Sequence, residues 1–314
     1  MTAIEPTHQP VQTRPGTTRP EPVFILSPPR SFSTVTLALL SGHPQIYGFP
    51  EMLVFTNETV GDLVGEKGTE ADRFPPEYRR TRLSGVCRAI AQAHEGVQTD
   101  EAVARARAWL SSRTEWRAVS VLDHLLHQIS PLVGVEKSPD TISSDESIAR
   151  CLQHYPNARY IHLTRHPVTT QRSMQEQNPR YLTNKRVRAV GAASSWYLGH
   201  RRIREALSQL PDDQWIRVRG EDLLGAPESG LRRILEWLDL SATDDVISQM
   251  LRTEQWNFAG NGPSGNLYGG DPKFLTDPRL RSIPDPGPVE FDPAWGLIDE
   301  MHERMKSLAF ELGY

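Results

Sequence analysis

VFILSPPRSFSTVTLALLSGHP, residues 23–44, decides the fold. VFILS (Val23 to Ser27) is a short unbroken apolar run, the pattern of a strand buried on both faces. VTLALL reads as an apolar helical segment, and Gly42 and Pro44 supply its stop. PPRSFST joins the strand end to the helix start. A connection at that place offers backbone N–H groups and a helix N-terminus to an anion. Arg30 adds a permanent charge with a forked donor set. Ser31, Ser33 and Thr34 add hydroxyls, and Pro29 and Phe32 complete the candidate loop. A helix terminus alone contributes only ~0.3–2 kcal/mol toward an anion, so Arg30 and several N–H groups must act together. The loop lacks the lysine and glycines of GxxxxGK[ST]. Taken alone, it also reads as a plain strand–helix turn capped by serines.

Working outward, VGVEK (Val133 to Lys137), RYIHLTR (Arg159 to Arg165) and WIRVR (Trp215 to Arg219) read as three further strands. Apolar residues recur at helical spacing over 79–95, 100–112 and 116–129. They do so again in SSDESIARCLQHYP, with Ser143 or Ser144 as N-cap. GAASSWYLGHRRIREAL, PESGLRRILEWLDL and a last segment over about 295–312 complete the helices. This alternation predicts an α/β protein, a single domain over residues 22–314 with a central parallel sheet flanked by helices. Its binding crevice should lie at the carboxyl ends of the strands. Residues 1–21, rich in Pro, Thr, Gln and Glu, read as a disordered leader. The polar stretches 57–77 and 176–187 and the Gly-, Pro- and Asp-rich segment 257–285 read as loops framing the crevice.

The 314 residues are 38% apolar and 24% charged, which suits a soluble domain with a real core. The net charge of −4 argues against a nucleic-acid partner, which needs a basic face. Cys87 and Cys151 lie outside any CxxC or His spacing and read as reduced thiols. There is no basic start followed by an apolar stretch, and no apolar run nears the ~20 residues that span a bilayer, so the expected location is cytoplasmic.

A second anion motif begins where RYIHLTR ends. Arg165 leaves the strand, Pro167 opens the next helix at a position where a missing N–H costs nothing, and Ser173 follows eight residues after Arg165. If the turn is tight, arginine and hydroxyl can hold one phosphate through a charge-assisted bond. Alone, the pair also reads as a surface arginine capping a carbonyl and an exposed serine.

Together these residues resemble the superfamily of sulfotransferases that use 3′-phosphoadenosine 5′-phosphosulfate (PAPS). The 5′-phosphosulfate loop of that family reads like PPRSFST, and its 3′-phosphate motif has the spacing of Arg165, Pro167 and Ser173. EKSP (Glu136 to Pro139), WYLGHRRI (Trp196 to Ile203), VRGEDLLGAPESGLRRILEWLDL and NLYGGDPKF (Asn266 to Phe274) extend the resemblance over about residues 23–274. It is nearest to bacterial members, including those that sulfate β-hydroxyacyl chains on carrier proteins during terminal-alkene formation. The resemblance implies a P-loop-NTPase-like sulfotransferase fold, PAPS as co-substrate without a metal, and in-line sulfuryl transfer. The acceptor it implies is a hydroxyl or amine of a small molecule or a carrier-protein-bound chain. NLYGGDPKF is expected to close over the cofactor, Gly269 and Gly270 permitting the backbone shape and Lys273 reaching a phosphate. Two positions depart from the family. Phe32 stands where many relatives have Gly, and Arg30 where animal cytosolic members have Lys, which exchanges a proton donor for a fixed charge.

Such a transfer needs in-line positioning, neutralised leaving-group charge and a base for the acceptor. Glu51, in HPQIYGFPEMLVF, follows the first helix, where several sulfotransferase families place a catalytic Glu. His124, His43 and His200 are the rivals, each also readable as a packing histidine. Lys137 in EKSP is placed either to contact the transferring sulfuryl oxygens or to pair with Glu136 or Asp140. Glu221 and Asp222 read as caps on the next helix. Two other functional classes stand beside this one. One is a P-loop-like kinase or nucleotide hydrolase, which would need the absent loop lysine. The other is a non-catalytic nucleotide-binding protein that keeps the fold.

Overall fold

Five parallel strands make the sheet among the described residues, one more than the periodicity predicts. They are β1 (Val23–Leu26), β2 (Ile46–Gly48), β3 (Val133–Glu136), β4 (Arg159–Thr164) and β5 (Trp215–Arg219), in the order β2-β3-β1-β4-β5. The structure is a computed structural model and describes residues 20–65, 82–177, 185–262 and 269–314. β1 is buried along its whole length, as its apolar run demands, with β3 on one side and β4 on the other. From β1 the chain goes first to the edge strand β2, returns to lay β3 between the two, then crosses to β4 and β5 on the other side of β1. The order therefore reverses at β1, and a crevice opens at its carboxyl end.

β2 escapes the sequence reading because only three residues, between Pro44 and Pro50, carry it. It lies directly on the first helix: a Cβ on Gly48 would sit 1.8 Å from Ser41 Oγ. Gly42 has a different task from the one its position suggests. Its φ is −73°, which is no left-handed helix stop. A Cβ there would lie 2.5 Å from Met250 Cα, so close packing against a later helix is what calls for glycine.

The helices are α1 (Ser33–Ser41), α2 (Val60–Val64), α3 (Ser84–Glu95), α4 (Asp100–Ser111), α5 (Val119–Gln128), α6 (Asp145–His154), α7 (Pro167–Gln177), α8 (Lys185–Leu207), α9 (Gly220–Gly225), α10 (Pro227–Trp237), α11 (Asp244–Met250), α12 (Pro272–Thr276) and α13 (Asp299–Glu311). Ser144 is the N-cap of α6, its hydroxyl accepting from Ser147 N. α2 and α12 are short helices inside stretches read as irregular. α2 is set by a capping box in which Thr59 and Asp62 each bond the other's backbone N–H. Except for Pro20 and Glu21, the expected leader lies outside the described residues, as do the larger part of 57–77 and the middle of 176–187.

The main core surrounds the sheet. A second, smaller apolar cluster joins Val168 of α7, Trp196 of α8 and Leu308 and Leu312 at the end of the chain. It brings α13 beneath the carboxyl end of β4. Cys87 and Cys151 are buried and free. No helix among the described residues is long and apolar enough to cross a membrane.

Candidate active site

PPRSFST turns through two left-handed residues, Arg30 (φ 67°) and Phe32 (φ 65°). That conformation costs a non-glycine residue roughly 1–2 kcal/mol, which is why a glycine would be at home at position 32. Two contacts hold Phe32 there. The Arg165 guanidinium lies 4.0 Å from its ring centroid, a cation–π contact worth ~0.5–2 kcal/mol. Its edge fills the space left by Gly220, where a Cβ would come within 2.6 Å of the ring. Phe32 thus links the two candidate anion motifs. α1 then starts at Ser33 with no side chain capping its first N–H groups, the arrangement that leaves donors for an anion. Ser31 Oγ is buried and has no hydrogen-bond partner among the described residues.

The loop opens on a cavity of about 590 Å³ whose wall includes Arg30, Glu51, Lys137, Arg165, Ser173 and Lys273. Pro29, Phe32, Ser33, Thr34 and Gly270 also line it, whereas Ser31, Gly269 and His124 do not. Arg30 Nε donates to Ser173 Oγ at 3.0 Å, so the tight turn at Pro167 does return Ser173 to the end of β1. Arg30 also pairs with the carboxylate of Asp271. Arg165 donates through Nη1 to the Arg30 carbonyl (2.7 Å) and through Nε to Thr169 Oγ1 (3.2 Å). Burial lowers the Arg165 pKa to about 10, which leaves it charged at neutral pH.

Lys137 is 1% exposed and pairs with Glu51, not with Glu136 or Asp140. Glu51 retains 25% exposure toward the cavity. The other residues of EKSP hold the loop that carries it. Ser138 Oγ accepts from Met52 N and Leu53 N, both at 3.0 Å, and Glu136 Oε1 accepts from Met52 N at 3.2 Å. Glu51 N donates to Gly269 O at 2.8 Å. The loop crosses Gly85 so closely that a Cβ there would lie 2.1 Å from Glu51 O.

Glu136 is buried, and desolvation is the main cause that raises its pKa from 4.5 to about 7. The unfolded chain releases this proton near 4.5 while the folded chain keeps it to about 7. Stability from this group therefore falls as pH rises through that window. Glu136→Gln keeps the acceptor oxygen and removes the titration. Its thermal unfolding midpoint should change less between pH 5 and 8 than that of the wild type, and parallel curves would refute the assignment.

In GGDPKF, Gly269 (φ 108°) packs on Gly85, where each lacks room for a side chain. Asp271 N donates to Thr34 Oγ1 at 2.9 Å. With the Asp271–Arg30 pair, this latches the segment to the PPRSFST loop. Lys273 reaches Glu176 at 2.8 Å across the cavity mouth. Asn266, Leu267 and Tyr268 of the same motif lie outside the described residues. His124 sits among other groups: its Nε2 is 2.8 Å from His94 Nε2, and its ring packs 5.0 Å from Trp109. His43 bonds the Ser241 carbonyl (3.0 Å), and His200 is buried against His162 (2.9 Å). Glu221 is not a helix cap: its two oxygens accept from His166 N and from the Tyr314 hydroxyl, both at 2.9 Å. Asp222 pairs with Arg219 at the surface.

Residues 22–245 match the family model described as the sulfotransferase family. The chain belongs to the sulfotransferase family. Membership makes it an enzyme that takes its sulfuryl group from PAPS, as the paired motifs imply. Among solved structures, this sulfotransferase is similar to the sulfotransferase domain from the curacin biosynthetic pathway. The two share 22% identity and a TM-score of 0.70 over 92% of this chain and 97% of that one. It is also similar to the sulfotransferase domain from the Synechococcus PCC 7002 olefin synthase, with 24% identity and a TM-score of 0.70 over 96% of this chain and 98% of that one. Both show the same single-domain fold. None of the curated proteins searched matches the chain. Asp271, and the clamping roles of Glu136 and Ser138, were not singled out from the sequence. Only the alternation of side chains along EKSP, with Lys137 flanked by two polar residues, hints at the clamp.

Proposed function

We propose that this sulfotransferase transfers the sulfuryl group in line to an acceptor hydroxyl, with Glu51 as general base. Arg30 neutralises charge on the leaving phosphate, Lys137 stands beside the transferring group, and Arg165 with Ser173 receives the 3′-phosphate. The observation that carries this reading is the convergence of all five residues on one cavity of about 590 Å³. The donors fit a phosphosulfate: the uncapped start of α1 and the Arg30 fork lie together at one strand end. What supports Glu51 over His124 is position, since Glu51 lines the cavity and His124 bonds His94 outside its wall. Glu51 is held by Lys137 at the cavity wall. An acceptor O–H entering beside it gives up its proton to Glu51 as the oxygen attacks sulfur.

The acceptor we propose is a hydroxyl on a small molecule or on a carrier-protein-bound acyl chain. The motif resemblance points there, and the two similar structures come from the curacin pathway and an olefin synthase. Release of 3′-phosphoadenosine 5′-phosphate from PAPS, measured against phenols, sugars, lipids and β-hydroxyacyl thioesters, tests this. Acceptor-dependent release with the thioesters is the expected result. Binding of the bisphosphate with no release for any acceptor would instead favour the non-catalytic alternative.

A further inference from the structure

The peptide unit joining Arg165 to His166 is gripped at both polar ends by side chains far away in sequence. The Arg165 carbonyl accepts from Trp196 Nε1 at 2.9 Å. The His166 N–H donates to Glu221 Oε1, also at 2.9 Å. Trp196 is completely buried on α8, and Glu221 stands on α9 just past the carboxyl end of β5. Glu221 Oε2 accepts in turn from the Tyr314 hydroxyl at 2.9 Å, and that oxygen lies 2.9 Å from Thr164 Oγ1, which can donate to it. The Tyr314 ring is itself fixed, with the Arg219 guanidinium 4.6 Å from its centroid and the His166 ring edge-on at 5.5 Å. The second apolar core, through Leu308 and Leu312, delivers Tyr314 to this place.

This arrangement exceeds what the fold requires of a strand end. A backbone amide after a strand can be satisfied by water or by the next turn; here it receives a carboxylate, held at its other oxygen by a tyrosine. The Arg165 side chain departs from the gripped peptide. Small rotations of that peptide would swing its guanidinium, and forked recognition of a phosphate depends on orientation. The Glu221 carboxylate also favours the charged form of Arg165 against its burial.

We infer that Glu221 and Tyr314 are positioning residues for 3′-phosphate recognition, acting through Arg165. The inference rests on the assignment of Arg165 to that phosphate. Holding the guanidinium in its bound orientation before the ligand arrives lowers the ordering cost of binding. The consequence is selective: the clamp strengthens binding only of ligands that carry the 3′-phosphate.

The test titrates the full chain with 3′-phosphoadenosine 5′-phosphate and with adenosine 5′-phosphate, which lacks that group. The variants are Tyr314→Phe, Glu221→Gln and Arg165→Ala. Tyr314→Phe keeps the ring and its packing and removes one hydroxyl, so it isolates the clamp even if Glu221→Gln folds poorly. The preference of the wild type for the bisphosphate should shrink about three- to tenfold in Tyr314→Phe, with adenosine 5′-phosphate affinity unchanged. Equal weakening of both ligands would mean a purely structural role and would overturn the inference. So would an unchanged preference in Tyr314→Phe and Glu221→Gln alongside its loss in Arg165→Ala. A wild type without any preference, or an Arg165→Ala that retains it, would overturn the phosphate assignment beneath it.

Discussion

Glu51→Gln should lower turnover at least ~100-fold while bisphosphate affinity stays near wild type. The substitution keeps size and hydrogen-bonding shape but removes the basic oxygen. A loss of that size corresponds to about 2.7 kcal/mol of barrier, in the range general bases contribute. Ground-state binding should be spared because Glu51 makes none of the contacts of Arg165 and Ser173. Its main-chain N–H is tied to Gly269 O, a bond the substitution keeps. Lys137, buried and deprived of its carboxylate partner, will bond the amide oxygen instead, so some loss of thermal stability should accompany the kinetic effect. His124→Ala serves as the comparison. A dead His124→Ala beside an active Glu51→Gln would transfer the role of base to the histidine.

Arg30→Ala should reduce kcat by about 10²–10³, as removal of one preorganised transition-state donor does elsewhere. Negative charge grows on the bridging phosphate oxygen as the S–O bond breaks, so the interaction strengthens along the reaction coordinate. The structure adds a complication that the sequence does not show. Arg30 is paired with Asp271, so its removal leaves that carboxylate facing the phosphate. Part of any loss in bisphosphate affinity will be repulsion, and Asp271→Asn in the same background should recover it. Arg30→Lys restores charge without the fork and should fall between wild type and Arg30→Ala. Full activity in Arg30→Ala would remove this residue from the mechanism.

The sheet was legible wherever the sequence concentrates its signal. β1 is buried without interruption, and its unbroken apolar run declares that; β3 is buried throughout as well, although Glu136 ends it. β2 was not legible, because three residues between prolines carry no period and are fixed by packing on α1. The two candidate anion motifs were proposed from residue types and spacing. Their connection through Phe32 could not be, because a stacked Phe32–Arg165 pair depends on a backbone turn that φ alone reveals. Lys137 was singled out, but its partner lies 86 positions away. Local sequence offered only Glu136 and Asp140. Glu221 shows the same limit: its place before a helix suggests a cap, while the fold sends its oxygens to a neighbouring strand end and to Tyr314. Long-range partners of charged side chains follow from topology, which local pattern does not encode.

Calorimetric titration with 3′-phosphoadenosine 5′-phosphate, set against ATP with Mg²⁺, tests most directly that this cavity serves a 3′-phosphorylated sulfuryl donor. The bisphosphate should bind tightly and ATP at least ~10-fold more weakly, since ATP has no 3′-phosphate to engage Arg165 and Ser173. Tight binding of ATP with Mg²⁺ and none of the bisphosphate would contradict the account.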